Sequence, residues 1–164
     1  RRQFLMGMGS LSAAAVAVAA PAAARAGEPR QPRYGMVVDL RKCIGCQACT
    51  VACAYEHQAP ADQWRTVVTV AEVRTDSGAG MVMLPRLCNH CDEPACVPRC
   101  PKQATYKTGD GTVQIDADKC IGCGRCVRAC PYGARFINED TGKADKCSFC
   151  LHRVAAGLRP ACVE

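Results

Sequence analysis

The sequence predicts an α+β chain of short strands, short helices and long loops, arranged as two pseudo-symmetric units. Three observations predict it. Fifteen of the 164 residues are cysteine, in four groups, and two of the groups repeat one spacing. Aromatic residues make up only 5% of the chain, too few for a large hydrocarbon core. Between the cysteines lie short runs rich in Val and Thr, bounded by Gly and Asp, as short strands and tight turns require.

Cysteine at about one residue in eleven marks either a disulfide scaffold or a metal protein. The length suits one domain or two small ones. The formal charge is +6, and Arg1, Arg2 and Arg25 supply half of it within residues 1–26, a stretch without Asp or Glu. No basic patch is interleaved with aromatics, so no nucleic-acid partner is expected.

Residues 1–26 read as an address. The twin arginine Arg1-Arg2 precedes an uncharged stretch, residues 4–24, dominated by Ala and Gly. Pro21 follows, and Ala24-Arg25-Ala26 fits a small-x-small cleavage rule. This resembles a twin-arginine export signal, which implies a periplasmic protein. The alternative is a membrane anchor, but anchors favour Leu, Ile and Phe over Ala and Gly. Twin-arginine export carries folded proteins, often with cofactors already inserted, whereas a disulfide scaffold is oxidised outside. The signal therefore points to a cofactor in the remaining residues, 27–164.

The cysteine groups are Cys43, Cys46, Cys49 and Cys53; Cys88, Cys91, Cys96 and Cys100; Cys120, Cys123, Cys126 and Cys130; and Cys147, Cys150 and Cys162. The first and third groups are C-x2-C-x2-C-x3-C, with texts CIGCQACTVAC and CIGCGRCVRAC that agree at seven of eleven positions. They form an internal repeat. The second and fourth share the opening C-x2-C and then widen the next gap. By the second group's pattern the fourth would close at position 166, so the chain is read as a fragment, cut before Arg1 and after Glu164.

This spacing has a physical reason. Three cysteines two residues apart let a short loop curl round one cubane of iron and sulfide, each thiolate reaching a different iron. Gly45 and Gly122 allow the backbone close approach and aim amides at the sulfides. The fourth cysteine starts the next segment, and in two-cluster ferredoxins it ligates the other cluster. Pro101 and Pro131 follow Cys100 and Cys130 as that pattern expects, whereas Ala54 follows Cys53. Zinc uses four ligands, typically as two C-x2-C pairs, to which a third cysteine is surplus. A thioredoxin-like redox site needs one C-x-x-C. A disulfide scaffold would leave one cysteine over. The recurrence favours four [4Fe–4S] clusters in a ferredoxin-like fold of two 2[4Fe–4S] units.

The ferredoxin rule then sets an expected pairing. An inner pair, about residues 85–135, uses Cys88, Cys91, Cys96 and Cys130 for one cluster and Cys120, Cys123, Cys126 and Cys100 for the other. An outer pair, from residues 36–58 and 140–164, uses Cys147, Cys150, Cys162 and Cys53. Cys43, Cys46 and Cys49 hold the last cluster, whose fourth ligand the fragment lacks.

The elements follow in order. Residues 35–39 (GMVVD) read as a strand leading into the first group, and residues 66–74 as a second strand. Residues 77–80 read as a turn and 81–84 as its returning strand. Residues 105–107 and 112–116 flank Gly109-Asp110-Gly111, a hairpin signal. Residues 134–138 and 142–145 flank another turn. Short helices are expected near Cys49 and Cys126. His90 reads as a hydrogen-bonding or partner-facing side chain rather than a ligand, and His57 and His152 as surface groups or neighbours of a ligand. Lys42, Lys119 and Lys146 each precede a group's first cysteine, either as a charge that raises a cluster's potential or as a solvated side chain. Trp64 reads as packing.

The texts around the cysteines carry a resemblance. DLRKCIGCQACTVAC (39–53), PRLCNHC (85–91), CPYGARFIN (130–138) and ADKCSFCLHRVAAGLRPACVE (144–164) are similar to the iron–sulfur subunits of the molybdopterin oxidoreductase family, over roughly residues 34–164. Within that family the intervening text favours the subunits serving tetrathionate. The resemblance implies a non-catalytic electron carrier between a quinol-oxidising membrane subunit and a molybdopterin-containing catalytic subunit. The alternative is the corresponding subunit of a polysulfide, thiosulfate, dimethyl sulfoxide or nitrite system or a hydrogenase. A free periplasmic ferredoxin is the remaining reading. The visible chain has no nucleophile constellation or dinucleotide fingerprint of its own.

Overall fold

The computed structural model describes residues 32–76 and 78–164, so the export-signal reading lies outside the described residues. A 3-10 turn, Leu40–Lys42, precedes helix α1, Ala48–His57. Strands β1, Val67–Thr75, and β2, Gly78–Arg86, form a nine-pair antiparallel hairpin. Two shorter hairpins follow, β3 (Thr105–Lys107) with β4 (Val113–Ile115), and β5 (Phe136–Ile137) with β6 (Ala144–Asp145). Helix α2, Arg125–Arg128, lies between the second and third hairpins, and α3, Leu151–Ala155, follows the last. Each sheet has two strands, and this short-element α+β order suits a ferredoxin-like chain.

Residues 35–39 pair with no strand among the described residues. The segment is tied instead by the Tyr34 amide, which donates to the Asp110 carbonyl at 3.1 Å, and by Asp39, whose carboxylate accepts from the Arg41 amide at 3.1 Å and caps the 3-10 turn. In the first hairpin Thr75 pairs with Gly78, so Gly78, Ala79 and Gly80 belong to β2 rather than to the turn. Glycine-rich text there reads as a turn, but an exposed edge lets those residues extend.

The interior is small and unusual. Among the described residues the buried apolar side chains are Cys53, Val68, Ala104, Val113, Cys120, Cys126, Ala144, Cys147 and Cys150. Five of these nine are cysteines, so the packed centre follows the sulfur atoms. Val67, Val70, Val73 and Met81 of the long hairpin are exposed. Only its base is anchored: Gln47, at the start of α1, donates to the Val68 carbonyl at 3.0 Å and accepts from Thr50 Oγ1 at 2.9 Å.

Polar turns close the other two hairpins. Asp110 Oδ1 accepts from the Thr112 amide and hydroxyl, both at 2.8 Å, which folds the chain between β3 and β4. Asn138 Oδ1 accepts from the amides of Asp140 and Thr141, both at 3.0 Å, and shapes the β5–β6 turn. That turn lies against the third cysteine loop. A Cβ on Gly122, whose φ is +68°, would run into the Gly142 carbonyl oxygen. Lys143 Nζ also donates to the Cys120 carbonyl at 2.6 Å. Gly133, at φ +60°, has open space where its Cβ would stand. Gly133→Ala therefore costs only left-handed strain, about 1 kcal/mol. Gly122→Ala must also displace backbone and is expected to cost more than about 2 kcal/mol. Anaerobic urea unfolding of the two variants beside wild type measures the difference.

Candidate metal-cluster sites

Four loops present the cysteines, and their backbones share one feature. The residue before the second cysteine of each group has a left-handed φ: Gly45 at +72°, His90 at +45°, Gly122 at +68° and Phe149 at +59°. This turn lets the loop curl so that the first two sulfurs of a group, three positions apart, can face one side. Glycine adopts it freely, whereas another residue pays about 1–2 kcal/mol. His90 and Phe149 are held by partners. His90 Nδ1 accepts from the Val113 amide at 2.9 Å, and its ring meets the Phe149 ring edge-on at 5.6 Å. Phe149 stacks on Tyr34 at 5.9 Å. Sequence reasoning gave His90 a hydrogen-bonding role but missed that His90 and Phe149 stand where the repeat has glycine. Aligning the four C-x2-C openings carries that signal.

In the first and third groups the residue after the second cysteine is left-handed too, Gln47 at +61° and Gly124 at +68°. These residues stand immediately before α1 and α2. The third cysteine of each group, Cys49 or Cys126, thus lies in the first turn of a helix.

The structure brings cysteines of different groups together. Cys88, Cys91 and Cys96 line one small cavity with Cys130. Cys120, Cys123 and Cys126 line a second with Cys100. Cys53 lies among Cys147, Cys150 and Cys162: burial pushes its thiol up to about 12, and the charges of those three cysteines add to the rise. Burial likewise raises Cys162, with Cys150 and then Cys49 of the first group contributing. Burial pushes Cys147 up to about 11; its bond from the Phe149 amide and the Lys146 charge oppose this, while Cys88 and Cys162 reinforce it. Neighbouring sulfurs therefore run in series from the first group to the fourth, the second and the third. Cys46 and Cys123 are exposed, and Cys43 is half-buried in the first loop.

Donors already point at several sulfurs. The Ala144 amide lies 3.3 Å from Cys120 Sγ, and the Phe149 amide 3.3 Å from Cys147 Sγ. Burial raises the Cys100 thiol, but amides of Thr105, Lys102 and Ala104 and the Arg135 charge outweigh it and hold the thiol below its ordinary value. His57 Nε2 lies 3.2 Å from Cys150 Sγ. Burial, with Arg65 and His152 nearby, lowers this imidazole to about 4, so it is neutral at pH 7. His152 is exposed and pairs with Glu56 at 2.6 Å.

The lysines before the groups divide. Lys42 is exposed, and Lys119 is exposed and pairs with Asp116 at 3.0 Å. Lys146 is buried, donating to the carbonyls of Val113 and Cys147. The solvated alternative therefore fails for Lys146, because its ammonium replaces water with those carbonyls. Trp64 is 44% exposed, so its packing role is slight.

This donor set fits an iron–sulfur cubane. All fifteen cysteines are free thiols. Among the described residues no three His, Cys, Asp or Glu side chains converge as they would on a lone ion. Instead, four cysteines from two groups line each of two cavities, and amides are directed at the sulfurs of Cys120 and Cys147. Such clusters supply reversible one-electron storage when bound.

Comparison with known proteins adds the family. Residues 79–164 match the 4Fe-4S dicluster domain family, and residues 34–55 a 4Fe-4S binding domain. The chain is 51% identical to the tetrathionate reductase B subunit of Salmonella typhimurium, an alignment covering 100% of this chain and 69% of that protein. It is 52% identical to the tetrathionate reductase B subunit of Archaeoglobus fulgidus, over 77% of this chain and 59% of the relative. It is 44% identical to the thiosulfate reductase electron transfer subunit of Salmonella typhi, over 80% of this chain and 70% of the relative. The chain thus spans between 59% and 70% of the length of these relatives. With the cysteine loops and the two family matches in agreement, the chain belongs to the iron–sulfur electron-transfer subunits of the molybdopterin oxidoreductase family.

Proposed function

We propose that the chain relays electrons through four [4Fe–4S] clusters, from a quinol-oxidising membrane subunit to a molybdenum catalytic subunit that reduces tetrathionate or a related sulfur compound. The observation that carries this reading is the serial neighbourhood of the four cysteine groups, which offers one path through the chain. The fifteen cysteines are the ligands in this proposal. Cys88, Cys91, Cys96 and Cys130 hold one cluster, and Cys120, Cys123, Cys126 and Cys100 the next. Cys147, Cys150, Cys162 and Cys53 hold a third, and Cys43, Cys46 and Cys49 the fourth. The inner and outer pairs form the two pseudo-symmetric units.

The chain's residues have defined tasks here. The thiolates bind, the left-handed loop residues orient them, and Ala104, Val113 and Ala144 exclude water from the interior. The amides of Ala144 and Phe149 and the imidazole of His57 stabilise negative charge on sulfur. No side chain needs to gain or lose a proton for an electron to pass. Exposed Cys46 and Cys123 mark the two ends of the path, where a donor and an acceptor approach. The tetrathionate assignment rests on the 51% identity to a tetrathionate reductase B subunit. The twin arginine supports export to the periplasm, with membrane attachment through the quinol-oxidising partner.

Two measurements test this. Cys130→Ser is expected to remove the second-group cluster and leave the third-group cluster in place, read as the loss of one electron paramagnetic resonance (EPR) signal from the reduced protein. Loss of the third-group signal alone would sink the exchange of cysteines. The full-length protein, recovered anaerobically from its host with its partners, is expected to oxidise a reduced dye with tetrathionate as acceptor. Turnover with thiosulfate or polysulfide alone would reassign the substrate. An isolated brown chain without partners would replace the complex by a free ferredoxin.

A further inference from the structure

Arg135 and Lys146 are the charged side chains buried among the described residues, at 4% and 3% exposure. The hydrogen bonds they make go to neutral oxygens. Arg135 Nη1 donates to Thr105 Oγ1 at 3.1 Å, and Lys146 Nζ donates to the carbonyls of Val113 and Cys147. Arg135 Nη2 is buried and has no partner. The Arg135 side chain lines the cavity of Cys88, Cys91, Cys96 and Cys130. A guanidinium stays protonated in proteins, so this charge persists without a carboxylate beside it. An unpaired buried cation with an orphan donor is among the costliest arrangements a fold can hold. An anion in the cavity removes both deficits, and a cluster held by thiolates is an anion.

We propose that Arg135 is the counter-ion and hydrogen-bond donor of the cluster in the second-group cavity, and that it raises that cluster's reduction potential. The inference rests on the cluster assignment proposed above and adds a residue outside the cysteine motifs. Reduction brings one electron to the cluster from its neighbour in the path, or from dithionite in a titration. No bond breaks and no proton moves, so fixed positive charge nearby favours the added negative charge. Arg135 supplies that charge at the cavity wall, and its Nη2 hydrogen bonds to sulfur rather than to protein. Its field also reaches Cys100 of the adjoining cavity, which puts it at the junction of two sites. Lys146 adds a second positive charge within reach of Cys88, Cys96 and Cys147. Two buried cations thus stand near the cysteines of the second-group site.

The test uses the complete complex, prepared anaerobically as wild type, Arg135→Met and Arg135→Lys. Iron and sulfide are counted per chain, and a dye-mediated dithionite titration is followed by EPR, with the second-group signal identified by its loss in Cys130→Ser. Arg135→Met is expected to lower the ratio of reduced to oxidised second-group cluster about tenfold at fixed potential, a shift of about 59 mV for one electron. The first- and fourth-group clusters are expected to hold their midpoints. Arg135→Lys, which keeps the charge but not the fork of donors, is expected to fall between wild type and Arg135→Met. A fully loaded variant with an unmoved second-group midpoint overturns the inference, as does an equal shift in every cluster. If Arg135→Met does not load iron, Arg135→Lys decides: a loaded cluster of lowered potential supports the inference, and an unmoved midpoint or a lost cluster overturns it. Wild type without any cluster signal would overturn the cluster assignment itself, and this inference with it.

Discussion

Sulfur must be buried in this chain, and the rest of the fold is arranged around that demand. Thiols deep in protein resist ionisation, as burial does to Cys53 and Cys147. A thiolate kept there needs a positive partner and donors directed at it. Amides from Ala144 and Phe149, the imidazole of His57 and the cations Lys146 and Arg135 stand where those partners are needed. The hydrocarbon that remains is modest, and a two-stranded hairpin is marginal by itself. The three hairpins are therefore best understood as braces: each is fastened to a cysteine loop, and the loops in turn are fastened to one another.

Two chemical solutions serve the same loop. At Gly45 and Gly122 the backbone turns left-handed without a side chain. At His90 and Phe149 the same turn is held by packing, since the two rings meet each other and Tyr34 locks the second. Strain in one loop is thus relieved by contact with the other. The second and fourth groups become mechanically joined across a point where their sulfurs are also neighbours, which stiffens the middle of the series.

Much of this was legible in the cysteine spacing because that spacing is local geometry. The helices at Cys49 and Cys126 and the short hairpins lie near their expected places for the same reason. The exceptions are tertiary. Residues 35–39 have strand-like text but pair with no strand among the described residues, and they follow Asp39 and Asp110 instead. Gly78–Gly80 extends because Thr75 reaches across to Gly78. Lys146 and Arg135 look like ordinary cations in the sequence. Their burial depends on β4 and β3, more than twenty residues away, which no window of text around them contains.

The long β1–β2 hairpin has a consequence for how such chains vary in length. Its base touches the first cysteine loop, where Met83 packs against the face of Gly45 and Gln47 holds Val68. Beyond that base the strands run to Thr75 and Gly78 with Val73 and Met81 in solvent. Antiparallel partners can be gained or lost in matched pairs without changing the register nearer the base. The outer half is therefore an adjustable arm. Relatives can lengthen, shorten or redecorate it without disturbing the sulfur series, because the connection it makes to that series is complete within its first few rungs.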